Sequence, residues 1–392
     1  MSTNSSGAKQ DFLNSWQDNA HYFEMLKLVS SLSNLFAQSD APFLDYRLAE
    51  NIFCRFFSSE NKARDCSVYD AVKNELGIGI KTFLINRGSS IEKIAEFNKL
   101  KPELDLKSHE DLAIQLATFF NKRIDSANSI YGVTDSIYHI IGRKPGELSV
   151  FNDSFRKIDP NSIRNVHDDI KSLSFQESGF EYRFNKSKSV LMRRFELPKT
   201  VVNVPVELIE DPLDLLSNLL THVDTRKKRP LEIEHKRKSI RLPLYSEHSN
   251  GVKYVPEKSG LNQWHAGGRK RDENEVYIPV PAKFHREHPN FFPSRDTPFV
   301  LVLPDKTELE AKICQDNDKA LMSCPNSALG EWLLRKVLKK KPGELVTIQD
   351  LDVAGIDSVI IDDTGWVDET NTKIYGISFT ENDGAGNLIS GV

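Results

Sequence analysis

Apolar residues recur along the chain with two different periods. From Pro42, a residue suited to a first helical turn, a stripe at Leu44, Leu48, Ile52 and Phe56 predicts an amphipathic helix. Cys66–Val72 and Gly77–Leu84 are short β-branched or aromatic runs either side of a polar turn, and they read as adjacent strands. Ser89 and Ser90 predict the cap of a helix reaching about Lys99, and a longer helix follows over about His109–Ser126. Strands are expected at Phe180–Phe184, Val190–Phe195 and Val201–Val206, then a helix from Pro212. Residues 224–257 mix charge, Pro and Ser and read as a linker or extended arm. Beyond them, short runs at Glu275–Val280, Phe299–Pro304 and Leu309–Cys314 predict a small barrel or sandwich, with a helix at Ser327–Leu338.

At 392 residues the chain is long enough for two or three domains, each with its own core. Its longest apolar runs, such as Phe299–Leu303, are strand-sized, so no transmembrane helix is expected. The polar N-terminal residues do not read as a secretory signal. Four cysteines without a Cys-x-x-Cys pair argue against a disulfide framework or zinc ribbon, and the expected location is the cytoplasm.

The net charge of −4 conceals an asymmetry. Nine acidic residues and one basic residue lie from Asp350 onward, whereas Arg226–Arg241 holds eight Lys or Arg against Glu232 and Glu234. That basic segment is compatible with a polyanion partner, although most charge runs are merely solvated surface. No Gly-Lys dipeptide is present for a Walker A loop, and no nucleotide cofactor is expected. His-x-Lys and His-Glu-x-x-His are also absent. The glycine-rich Asp383–Asn387 lies too close to the C-terminal residue to open a methyltransferase sheet, and reads as a tail.

Lys81 stands in the middle of an apolar strand, on the face shared by Gly79 and Phe83. Either a carboxylate pairs with it or it lies at an exposed strand edge, because burying it alone is costly. Asp70 is near the preceding strand. Phosphodiester hydrolysis uses carboxylates to hold a divalent cation and a cationic side chain to stabilise developing charge. Here the region resembles the PD-(D/E)xK nuclease superfamily. Asp70 matches the first acidic position, and Gly79-Ile80-Lys81 matches the (D/E)xK strand with glycine in place of the acid. One branch, including EcoRII and NgoMIV-like restriction enzymes, carries that acid on the following helix. Glu96 occupies that place in the predicted helix, with Glu92 one turn earlier as the alternative; both also read as surface acids beside Lys93, Lys99 and Lys101. Glu50 fits the acid often added by the preceding helix, and Asp65 is the alternative to Asp70. The resemblance implies Mg²⁺ held by Asp70 and Glu96, Lys81 orienting water, and Glu50 in support.

A loop at 260–271 gathers Asn262, Gln263, Trp264, His265, Arg269, Lys270 and Arg271, and a second segment offers Lys319, Ser323, Asn326 and Ser327. Arg can read guanine, Asn and Gln can read adenine, and Lys can position phosphates. Trp264 also reads as a core anchor, and His265 as a turn cap. The runs Gly260–Ala282 and Ala311–Trp332 resemble the C-terminal recognition domain of NgoFVII-type restriction enzymes, a pseudobarrel of the plant B-three type. The expected architecture is an α/β PD-(D/E)xK nuclease domain over 1–223, a basic linker over 224–257, and a mainly β pseudobarrel over 258–392 with an acidic tail. The resemblance implies a type II restriction endonuclease that hydrolyses double-stranded DNA without ATP, expected as a homodimer. The alternative is a non-catalytic DNA-binding regulator with a degenerate nuclease fold.

Overall fold

A computed structural model describes residues 7–63, 68–222 and 238–380. The chain divides into two compact units, Met1–Ile124 with Val133–Lys228, and Asp125–Gly132 with Arg229–Val392.

The first unit is built on a six-stranded mixed sheet. Its order is Glu60–Asn61, Ala71–Lys73, Leu76–Leu84, Asp135–Lys144, Glu147–Ser154 and Val202–Pro205. Only Leu76–Leu84 and Asp135–Lys144 run parallel, joined by a crossover that contains the helix His109–Tyr131. One face carries the helices Ala20–Ser31 and Tyr46–Phe57, whose Tyr22, Leu26, Phe53 and Phe57 bury against Ile78, Ile80 and Ile141. The opposite face meets a five-stranded antiparallel sheet through Phe195, which packs on Phe83 and Tyr138.

Local chemistry accounts for the helix that matters most to the site. Asp45 caps it, accepting bonds from Arg47 N at 2.9 Å and Leu48 N at 3.2 Å, and Ser58 ends it in the left-handed region at φ 50°. The helix therefore starts at Tyr46 rather than Pro42. Its buried stripe is Ala49, Ile52, Phe53 and Phe57, which leaves Leu48 exposed.

A larger correction concerns Ser89–Lys99. Those residues do not form a helix; Ser89–Glu96 is a strand paired along its length with Val190–Glu196. Arg87 (φ 51°) and Gly88 (φ 81°) turn the chain back sharply after the Leu76–Leu84 strand. Inter-strand bonding then overrides a segment whose own residues favour a helix only weakly.

The second unit is a seven-stranded sheet in the order Ser239–Pro243, Ser358–Val367, Lys373–Thr380, Phe299–Val302, Glu308–Cys314, Ala320–Cys324 and Ile278–Pro279. Its two edge strands, Ser239–Pro243 and Ile278–Pro279, come into contact, so the sheet curls toward a barrel. Phe299, Tyr375, Ile377 and Phe379 fill its interior, with Trp332 stacked on Phe379 at 5.2 Å.

This arrangement alters three expectations. Residues 239–254, expected within the linker, form strands, and Ile240, Leu242 and Leu244 are core residues. The rest of the basic run, 226–237, lies outside the described residues. The acidic segment is a helix at Ile348–Ala354 followed by two strands central to the sheet; Asp357 is fully buried between Arg241 and Lys253, at 3.1 and 3.3 Å. Asp383–Asn387 lies outside the described residues. Finally, Glu275–Val280 contributes only the two-residue strand Ile278–Pro279.

Candidate active site and nucleic-acid interface

Asp70 immediately precedes the Ala71–Lys73 strand. Its backbone continues the pairing, with Asp70 N donating to Ile78 O at 2.9 Å and Lys62 N donating to Asp70 O at 2.9 Å. Its carboxylate Oδ2 accepts from Ile80 N at 2.7 Å, so the hairpin delivers Asp70 beside the start of Lys81. Glu50 enters from the helix Tyr46–Phe57 and is 5% exposed. Its Oε2 accepts no hydrogen bond among the described residues, and the nearest cation is Arg47 Nη1 at 3.7 Å.

The electrostatics tie these groups together. Burial pushes the Glu50 carboxyl up to about 7, the Asp70 charge pushes it the same way, and Arg47 and Lys81 pull it down. Burial also raises Asp70, against the Lys81 charge and the Ile80 bond. Cys54, one turn after Glu50, has its thiol raised by burial, and Glu50 and Asp70 reinforce that shift. Glu50, which is buried, and Asp70 and Lys81, which are half-buried, thus sit close enough for their charges to act on one another, with Arg47 at the edge.

Glu96 does not join it. It lies at the end of the Ser89–Glu96 strand, where it pairs with Lys93 and accepts from Asn98 Nδ2. The reason is the secondary structure: without the expected helix, no helical turn returns Glu96 toward Lys81. Glu92, on the same strand, does couple to Lys81 and to Arg143; its carboxyl is raised by burial against a bond from Ser90 Oγ at 2.5 Å. Asp65 lies outside the described residues. Among the described residues, no three His, Cys, Asp or Glu side chains gather as a metal-holding group.

The glycine at position 79 has a packing cause. A Cβ there would lie 2.8 Å from the Tyr138 ring and 3.1 Å from Phe155, and those rings stack at 4.1 Å. Aromatic side chains fill the space that an acid at this position would need.

In the second unit, Gln263, Arg269, Arg271, Lys319 and Asn326 line a single concave site of about 420 Å³. The curl of the sheet brings these two sequence segments to one surface. Glu275, Gln315, Asp316 and Met322 complete the lining, and none of them was anticipated. Only Glu275 left a trace in the sequence, as an acid four residues beyond Arg271.

Asn262 and Ser323 require correction, for both are interior. Asn262 is fully buried; its Nδ2 donates to Pro256 O (3.0 Å) and Val346 O (2.9 Å), and its Oδ1 accepts from Val346 N (2.8 Å). Ser323 Oγ donates to Pro325 O and accepts from Leu329 N, both at 2.8 Å. Each amide or hydroxyl satisfies backbone groups that burial would otherwise strand. Trp264 is half-buried against His265, and His265 Nδ1 lies 3.1 Å from Glu257 O. Lys270 is exposed.

Residues 232–364 match the NgoFVII C-terminal B3-like DNA-binding domain. The B3-like domain spans roughly a third of the chain and includes the concave site with all nine of its lining residues. It begins ahead of Ser239–Pro243, in agreement with the place of that strand in the sheet. No curated protein matches the sequence. Among the described residues, no helix is long and apolar enough to cross a membrane.

Proposed function

We propose that the protein is a type II restriction endonuclease, reading duplex DNA through the B3-like domain and hydrolysing it at the Glu50–Asp70–Lys81 cluster with Mg²⁺ and without ATP. The observation that carries the reading is the convergence of a buried carboxylate, Glu50, a half-buried one, Asp70, and Lys81 from a helix, a strand start and a mid-strand position in a chain that also bears a restriction-enzyme-type DNA-binding domain.

Two desolvated, mutually repelling carboxylates, one with an orphaned oxygen, suit a hard cation with oxygen ligands. Asp70 and Glu50 would hold Mg²⁺, with water completing its shell. This reassigns the second ligand from Glu96 to Glu50. The ion would supply Lewis-acid stabilisation of charge on the scissile phosphate. Asp70 is oriented by the Ile80 amide, and Lys81 would hold the attacking water and offset charge as the transition state forms. Cutting both strands calls for two such sites, so a homodimer belongs to this proposal.

A second reading has an observation of its own: position 79 admits no acid, as expected of a nuclease fold retained only to carry a DNA-binding regulator. Plasmid DNA incubated with the protein, with and without Mg²⁺, separates the two. Metal-dependent nicking or linearisation supports the endonuclease, and intact plasmid beside sequence-selective binding supports the regulator.

A further inference from the structure

Glu275 is an anion in a cleft assigned to a polyanion. Exposed, it would weaken binding to every duplex alike. It is instead 4% exposed, and its Oε1 lies 2.6 Å from Arg269 Nη2 and 3.3 Å from Arg271 Nε.

The two arginines differ in what remains available to a ligand. Arg271 Nη1 donates to the carbonyls of Ala266 at 2.6 Å, Gly267 at 2.8 Å and Arg269 at 3.3 Å. It pins the loop from within. Arg269 is about half exposed and uses one bond to Lys270 O (3.2 Å) and one to Glu275. A guanidinium has five N–H donors. The others on Arg269 have no acceptor among the described residues.

Glu275 is itself held from behind. Its N–H donates to Asp272 O at 2.9 Å. Arg335, in the helical segment Glu331–Val337, donates to Asn274 Oδ1 at 2.7 Å and Glu273 O at 2.8 Å. Gly330 allows that close approach, since a Cβ there would lie 1.9 Å from Asn274 O.

We propose that Glu275 is a positioning residue that never touches DNA: it holds the Arg269 guanidinium so that its remaining donors meet the edge of one guanine in the major groove. This rests on the reading of the B3-like domain as the recognition module. A free arginine loses rotamer freedom on docking, whereas one already tethered presents a fixed fork. Discrimination at that base pair therefore depends on a buried carboxylate as much as on the arginine.

The test uses the full-length protein without divalent cation. A preferred duplex is selected from a random pool with the wild type, and every base pair of it is then varied in gel-shift competition. Arg269→Ala is expected to relax preference at one G·C pair by roughly 5- to 100-fold. Glu275→Gln is expected to relax the same pair by a similar factor, and the double variant to go no further. Melting temperatures check folding, and Glu275→Asp, with a shorter reach, is expected to relax that pair partially. If Glu275→Gln does not fold, Glu275→Asp decides. A Glu275 variant that folds and keeps full preference at the Arg269-dependent pair overturns the proposal while the recognition reading stands. A wild type that selects no sequence overturns both.

Discussion

The proposed endonuclease gives Lys81 and its carboxylates distinct tasks, and single substitutions should separate them. With Lys81 in the proposed role, Lys81→Ala would remove a transition-state contact, so cleavage should be lost while DNA affinity stays within a few-fold; single-turnover rates beside gel-shift affinities would show it. Retained cleavage would place the chemistry elsewhere. Asp70→Asn and Glu50→Gln should each abolish Mg²⁺-supported turnover. Glu96→Gln should leave it near wild type, since Glu96 is engaged with Lys93 and Asn98. Comparable losses from Glu96→Gln and Glu50→Gln would overturn the reassignment. Glu50 also makes a pH prediction. Its folded pKa, about 7, lies above its ordinary 4.5, so its contribution to stability is present below about 4.5 and lost as pH rises through 7. Without divalent cation the first unit should weaken by about 3–4 kcal/mol at most across that window, the free-energy equivalent of the rise from 4.5 to about 7. Glu50→Gln should remove this component, and Mg²⁺ at pH 8 should restore the wild type. Thermal melts across pH would record both.

Between elements, what counts is where pairing and packing put a strand. The Leu76–Leu84 strand carries the proposed chemistry at Lys81 and packing at Gly79, two residues apart on one face. Gly79→Asp, which places an acid two residues before Lys81, should therefore not build a site. It would drive a side chain into the Tyr138–Phe155 stack and destabilise by roughly 1–3 kcal/mol or more, measurable as a fall in melting temperature. On the opposite face, His139 is fully buried, with Nε2 2.8 Å from Tyr22 Oη and Nδ1 2.7 Å from Asn152 Oδ1. Burial lowers its pKa to about 4, so its contribution is present above 6.5 and lost as pH falls toward 4. Acid should loosen the helix-covered face, and His139→Phe should blunt that loss.

For the molecule as a whole, the B3-like domain should be separable only if its first strand is kept. Ser239–Pro243 pairs with Ser358–Val367 and buries Ile240 and Leu242. A fragment over 232–392 should melt cooperatively and bind one duplex sequence without metal, whereas 256–392 should be markedly less stable; equal melting of the two would contradict this. Much of this architecture was legible in residue order. Alternation and turn residues marked the strands Phe180–Asn185, Val190–Glu196, Phe299–Val302 and Glu308–Cys314, and the runs around Gly260–Ala282 and Ala311–Trp332 pointed to the domain later matched over 232–364. Local propensity could carry those features because each lies within a few neighbouring residues. It could not decide that Ser89–Glu96 is a strand, since that follows from its pairing with Val190–Glu196 about a hundred residues away. Nor could it tell Asn262 and Arg271, turned inward to satisfy backbone groups, from Arg269 beside them. Residue type states what a side chain is able to bond. Which bonds it makes depends on the burial and long-range pairing that only the folded chain supplies.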